Sequence, residues 1–165
     1  MRILKWCVFA LVLLCIAGVI MYNVPWRHEV NITESCMIWN EEDRTQGKLE
    51  EIEIKGVYID YLFKDDEFRG TMVITGVNED DVREFTVPLQ NYKNVDLTVG
   101  GASYWSVKKD SLVNLGFFYV EGVFEKMLLM LSTDEQKGNY LCVPASNMEE
   151  ALAIEEYFQR FFQRT

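Results

Sequence analysis

The spacing of apolar and polar positions changes twice along this chain. Residues 3–21 form an apolar run interrupted only by Lys5. As a helix rising about 1.5 Å per residue, that run would extend roughly 28 Å, close to the hydrocarbon thickness of a bilayer. Trp6, Tyr22 and Trp26 suit its two interfaces. The pattern predicts a transmembrane helix over 3–22. Further on the period falls to two. In Glu51-Ile52-Glu53-Ile54 apolar residues alternate with charge, which puts one face of a strand in a core. Val57, Ile59, Tyr61 and Phe63 then share a face, after a one-residue slip at Lys55-Gly56 that predicts a bulge or bend.

Further strands are predicted over 36–39, 68–76, 83–89, 96–99, 102–107, 115–120 and 139–143. Residues 124–132 are apolar on both sides and read as a strand buried on both faces. Polar turns at 41–47, 64–67 and 78–81, with Gly100-Gly101, separate them as in an antiparallel meander. After Pro144 the period becomes helical. Ser146-Asn147-Met148-Glu149 has capping-box spacing, and Ala151, Ile154, Phe158, Phe161 and Phe162 recur as a stripe.

The expected fold is therefore mainly β with α, an α+β class. An antiparallel β meander or curved sheet is packed by a C-terminal amphipathic helix over 147–163 and preceded by one N-terminal transmembrane helix. The expected organisation is an anchor at 3–22, a short tether at 23–33 and one β-rich domain at 34–165. Arg2 and Lys5 precede the uncharged stretch that begins at Trp6, so the positive-inside rule predicts a single-pass protein of the cell membrane, its amino terminus cytoplasmic and its domain extracytoplasmic. Two alternatives stay open. A cleaved signal peptide would use the poor site at Cys15-Ile16-Ala17, although 19–21 continues the apolar run past it. A lipidated cysteine would have to tolerate Leu14, where a small residue is usual.

All 26 acidic residues follow Tyr22, and the formal net charge is −10. That balance argues against nucleic acid as a partner and against docking on anionic headgroups. His28 is the single histidine, so any Ser-His or Cys-His pair would have to use it. No zinc motif is present, and Gly100-Gly101 lacks the lysine and hydroxyl of a phosphate loop. No cofactor is implied.

Three acidic clusters occupy predicted turns: Glu41-Glu42-Asp43, Asp65-Asp66-Glu67 and Glu79-Asp80-Asp81. Asp65, Asp66, Glu67, Glu79, Asp80 and Asp81 are the candidate calcium ligands, against the simpler reading of solvated turns. A glycosidase-like acid pair has no support from spacing. Cys36 and Cys142 are the two cysteines outside the apolar run; they form either a disulfide between the first and last strands or two buried thiols. Neighbouring aromatics such as Phe117-Phe118-Tyr119 must point to opposite faces, so some lie on a second buried face, under the helix or in an exposed patch.

Residues 52–58, with Tyr61, Leu62, Phe63, Asp66, Phe68 and Gly70, form one block, and 143–151 a second. Together they resemble uncharacterised small proteins of Gram-positive bacteria that carry an amino-terminal anchor or signal and one extracytoplasmic β-rich domain. The resemblance implies no activity. The expected role is non-catalytic: binding or modulating another envelope protein. The alternatives are a small-ligand or cation-binding sensor domain, and a secreted domain after signal cleavage.

Overall fold

Strand β1 (Trp26–Asn40) pairs with both its successor and the last strand of the chain, and that double pairing closes the sheet. In the computed structural model the described residues are 2–62, 64–78, 85–92, 97–106, 108–133 and 138–162. Helix α1 (Arg2–Asn23) precedes β1. Then come β2 (Asp43–Asp60), β3 (Asp66–Ile74), β4 (Phe85–Tyr92), β5 (Leu97–Ser106), β6 (Ser111–Glu121), β7 (Lys126–Leu131), β8 (Asn139–Val143) and helix α2 (Met148–Phe162). Each strand is antiparallel to the next, and β8 returns to β1 with Met37 opposite Cys142. The result is a closed eight-stranded antiparallel barrel. The mainly β reading and the C-terminal helix hold, but the open curved sheet does not.

The pleat sorts the side chains. In β3, Asp66, Phe68, Gly70, Met72 and Ile74 are all buried, and none of the residues between them is. Continued around the barrel, this alternation fills the interior with Ile52, Ile54, Phe68, Met72, Ile74, Leu89, Phe118, Met127 and Leu129. Barrels of this strand number have room for packed side chains or one small ligand, and this one is lined by large apolar groups. A second apolar cluster lies on the outer wall. There Met37, Trp39, Leu128 and Cys142 meet Ala151, Ile154 and Phe158 of α2. Strand β7 is thus covered on both faces over Met127, Leu128 and Leu129, as its apolar run predicts, while Met130 on the outer face is exposed.

Several local expectations are corrected. The alternation does not slip at Lys55-Gly56: Ile52, Ile54, Gly56 and Tyr58 keep one parity, and the register to β3 is continuous. Gly56 faces Gly70 so closely that a Cβ on Gly56 would lie 2.7 Å from the Gly70 Cα. The glycine marks a close approach of two backbones, not a bulge. Gly100-Gly101 is strand, not turn; a Cβ at Gly100 would meet the Phe118 ring at 2.7 Å, so the missing side chain makes room for that ring. The 23–33 stretch expected as a tether is strand from Trp26 onward. The helix cap sits one residue later than its spacing suggests: Asn147 Oδ1 accepts from the Glu150 amide at 3.0 Å, and the Glu150 carboxylate accepts from the Ser146 amide at 2.8 Å.

The transmembrane expectation is also corrected. Among the described residues, no helix is long and apolar enough to cross a membrane. The single-pass anchor at 3–22 and the inside-out orientation built on it fall with this finding.

Candidate functional site

The register of β6, β7, β8 and β1 lays out two cross-strand rows on the outer wall. Tyr119, Leu128, Cys142 and Met37 form one, and Met130, Tyr140 and Trp39 the other. Helix α2 covers the first row through Ala151, Ile154 and Phe158, with the Phe158 ring 6.4 Å from that of Tyr119. The second row is left partly open, and Met130 is 36% exposed. Between that row and the helix is a cleft of about 260 Å³, lined by Tyr119, Leu128, Met130, Tyr140, Glu155 and Gln159.

Glu155 is the unusual member, because a carboxylate with only 4% of its surface exposed normally needs full compensation. The Arg44 guanidinium approaches its Oε1 at 3.2 Å, and the Gln159 amide donates to the same oxygen. Among the described residues nothing donates to Oε2. Burial holds the Glu155 carboxyl above its ordinary value, with Glu41 adding repulsion and Arg44 opposing both. One wall is stiffened by stacking: Tyr140 lies on Trp39 with centroids 4.8 Å apart and planes 14° from parallel, and Arg44 sits 5.3 Å from the Trp39 ring. The Tyr140 hydroxyl donates to Glu41 at 3.4 Å, and burial raises its phenol. The cleft thus offers two tyrosines, a methionine and a leucine around one half-satisfied carboxylate.

The residues singled out from the sequence lie elsewhere. Asp65 is exposed, Asp66 points into the barrel, and Glu67 turns outward to Arg69 at 2.6 Å. Asp66 accepts from the Tyr58 hydroxyl at 2.7 Å and from the Tyr61 amide at 2.9 Å. The triplet is therefore divided: Asp65 precedes the strand, and Asp66 and Glu67, successive within it, lie on opposite faces. Glu79, Asp80 and Asp81 lie outside the described residues. Among the described residues no three His, Cys, Asp or Glu side chains gather as a metal cage would require. His28 is exposed near the open end of β1, with its ring 6.4 Å from that of Tyr58.

Cys36 and Cys142 do lie on paired strands, one position out of register. Their thiols are free and belong to opposite sides of the wall, Cys36 to the interior and Cys142 to the layer under α2. Burial pushes each up to about 12. Such thiols are poor nucleophiles at neutral pH.

The residues that line the cleft were not separable from core and surface in the sequence. Glu155 falls outside the apolar stripe of α2, where a solvated position is the ordinary expectation. The one available signal was the Phe118-Tyr119 pair, which must split between the interior and the outer wall, as it does. Comparison of the chain with protein-family models, with characterised proteins and with solved structures finds no match to any of them.

Proposed function

We propose that this protein is a non-catalytic binding module whose outer-wall cleft receives a side chain of a partner protein. The observation that carries this reading is the cleft itself: apolar walls, stacked aromatics and one buried acid, open between α2 and β6–β8. Anchors that dominate protein interfaces are side chains buried in pockets of this kind, surrounded by a polar rim. A volume of about 260 Å³ is below the roughly 300–1,000 Å³ usual for small-molecule sites. The interior of the barrel, where many barrels hold ligands, is occupied by Phe68, Phe118 and Phe124. No residue lining the cleft forms a nucleophile–base pair of the sort hydrolytic chemistry needs.

The test is site-specific photo-cross-linking in the native cell. A benzophenone side chain at Gln159, on the cleft rim, should give a discrete adduct that is lost when Tyr119 and Tyr140 are both replaced by Ala. The same group at Leu112, exposed on β6, should give none. Equal adducts from both positions, or none from Gln159, would remove the cleft as a binding surface.

A further inference from the structure

The geometry points to a lysine side chain as the group this cleft takes from its partner, with the ammonium bound at Glu155 Oε2. The inference rests on the binding-module reading above. Its first support is the division of labour on Glu155. Arg44 and Gln159 both use Oε1, and among the described residues Oε2 has no donor although the side chain is almost wholly buried. Oε2 is not sealed off from solvent, so it can take a further donor from the cleft side, and a cation entering the cleft would supply one.

The second support is the shape of the charge. One accessible oxygen suits a compact ammonium with three rotatable donors. A guanidinium fork would need both oxygens for its paired bonds, and Oε1 is already taken. The rest of the cleft suits a lysine stem: Leu128 and Met130 offer an apolar path for methylenes, and Tyr119 and Tyr140 add aromatic surface to the same lining. Glu41, hydrogen-bonded to Tyr140, adds a second negative group that acts on Glu155, and among the described residues Arg44 is the cation that opposes it. The chain as a whole is acidic, at −10, which favours encounter with a basic partner.

A third support comes from the other flank of α2, where the molecule makes this arrangement with its own lysine. Lys126 Nζ lies 2.7 Å from Glu121 and 4.6 Å from the Tyr157 ring centroid, and Tyr157 itself donates to Glu121. Glutamate, tyrosine and lysine form a closed set there. The cleft repeats the glutamate and the tyrosines, without the lysine.

The experiment uses the full chain and three small probes: the Nα-acetyl methylamides of lysine, norleucine and arginine. Norleucine keeps the stem and removes the charge. Binding is read from the Met130 methyl and the Gln159 side-chain amide in NMR titrations. The lysine probe should shift both signals saturably, and the norleucine and arginine probes should bind about tenfold more weakly or worse, the loss expected when a charged hydrogen bond is missing. Glu155→Gln, nearly isosteric, should weaken the lysine probe by a similar factor and leave norleucine unchanged. If norleucine binds as well as lysine, the cleft is an apolar anchor site: this inference falls and the binding-module reading stands. Equal lysine binding by Glu155→Gln, or no lysine binding while Gln159 still gives its cross-linked adduct, also overturns it. The wild-type titrations need no variant to fold.

Discussion

The Tyr58 hydroxyl donates to Asp66 Oδ2 over 2.7 Å inside the barrel, and Asp66 Oδ1 accepts from the backbone amide of Tyr61. Asp66 is 2% exposed, so these bonds replace water that cannot reach it. Burial and this bond also raise the Tyr58 phenol. Tyr58→Phe should destabilise the protein by about 1.5–3 kcal/mol, the range for hydrogen bonds to charged groups. In Asp66→Ala the Tyr58 hydroxyl and Tyr61 amide both lose a partner, so the double variant should cost less than the sum of the two single changes. Urea unfolding of the four proteins measures this; strict additivity would show that the pair is not coupled.

Phe158 is fully buried between α2 and the outer wall, beside Tyr119 and Tyr157. Phe158→Ala should cost about 3–5 kcal/mol through lost transfer energy and an unfilled cavity. Phe161 is only partly buried at the end of the helix, and Phe161→Ala should cost clearly less. Thermal or denaturant unfolding ranks the two; equal losses would mean that the terminal turn is packed as firmly as the middle.

The four cysteines should divide cleanly in alkylation. Cys7 and Cys15 are exposed on α1, whereas Cys36 and Cys142 are buried, with thiols pushed up to about 12. Iodoacetamide at neutral pH should label the first two in minutes and the second two only on unfolding. Mass spectrometry of the digested protein reads the sites. Labelling of Cys142 at the rate of Cys7 would mean that α2 lifts from the wall.

Two glutamates of α2 should give opposite pH dependences. The folded state holds Glu155 above its unfolded value, mainly by burial, so it favours the protonated form. Its contribution is fully present below the unfolded value and is lost as pH rises through the folded one. Glu150 is held low by the Ser146 amide and hydroxyl. Its contribution is present above the unfolded value and is lost as pH falls. From acid to neutral, wild type should therefore lose stability relative to Glu155→Gln and gain it relative to Glu150→Gln. Urea midpoints of the three proteins across the carboxylate range test both signs, and parallel curves would exclude them.

What the sequence revealed depended on range. Alternation in 51–54 and the stripe from Ala151 to Phe158 are local, and both placed their faces correctly. Closure was not legible, because it depends on Met37 meeting Cys142 across the whole barrel and nothing near either residue announces the other. Glycines misled for a related reason. Gly56 and Gly100 read locally as punctuation, but each is small because something distant in sequence, Gly70 or Phe118, comes close. The cleft was the least legible part. Its six residues come from β6, β7, β8 and α2, and only the cross-strand register brings Tyr119, Met130 and Tyr140 beneath Glu155.

The pairing of β1 with β8 has a consequence for how the molecule is made. Until residue 143 has left the ribosome, β1 and β7 are both raw edges, each with a row of unpaired amides and carbonyls able to recruit a neighbouring chain. Non-local pairing of this kind is also slow to form. The nascent chain is therefore at its most adhesive just before its last strand arrives. Helix α2 follows at once and lies across β7, β8 and β1, so the element that covers the seam is synthesised immediately after the strand that closes it.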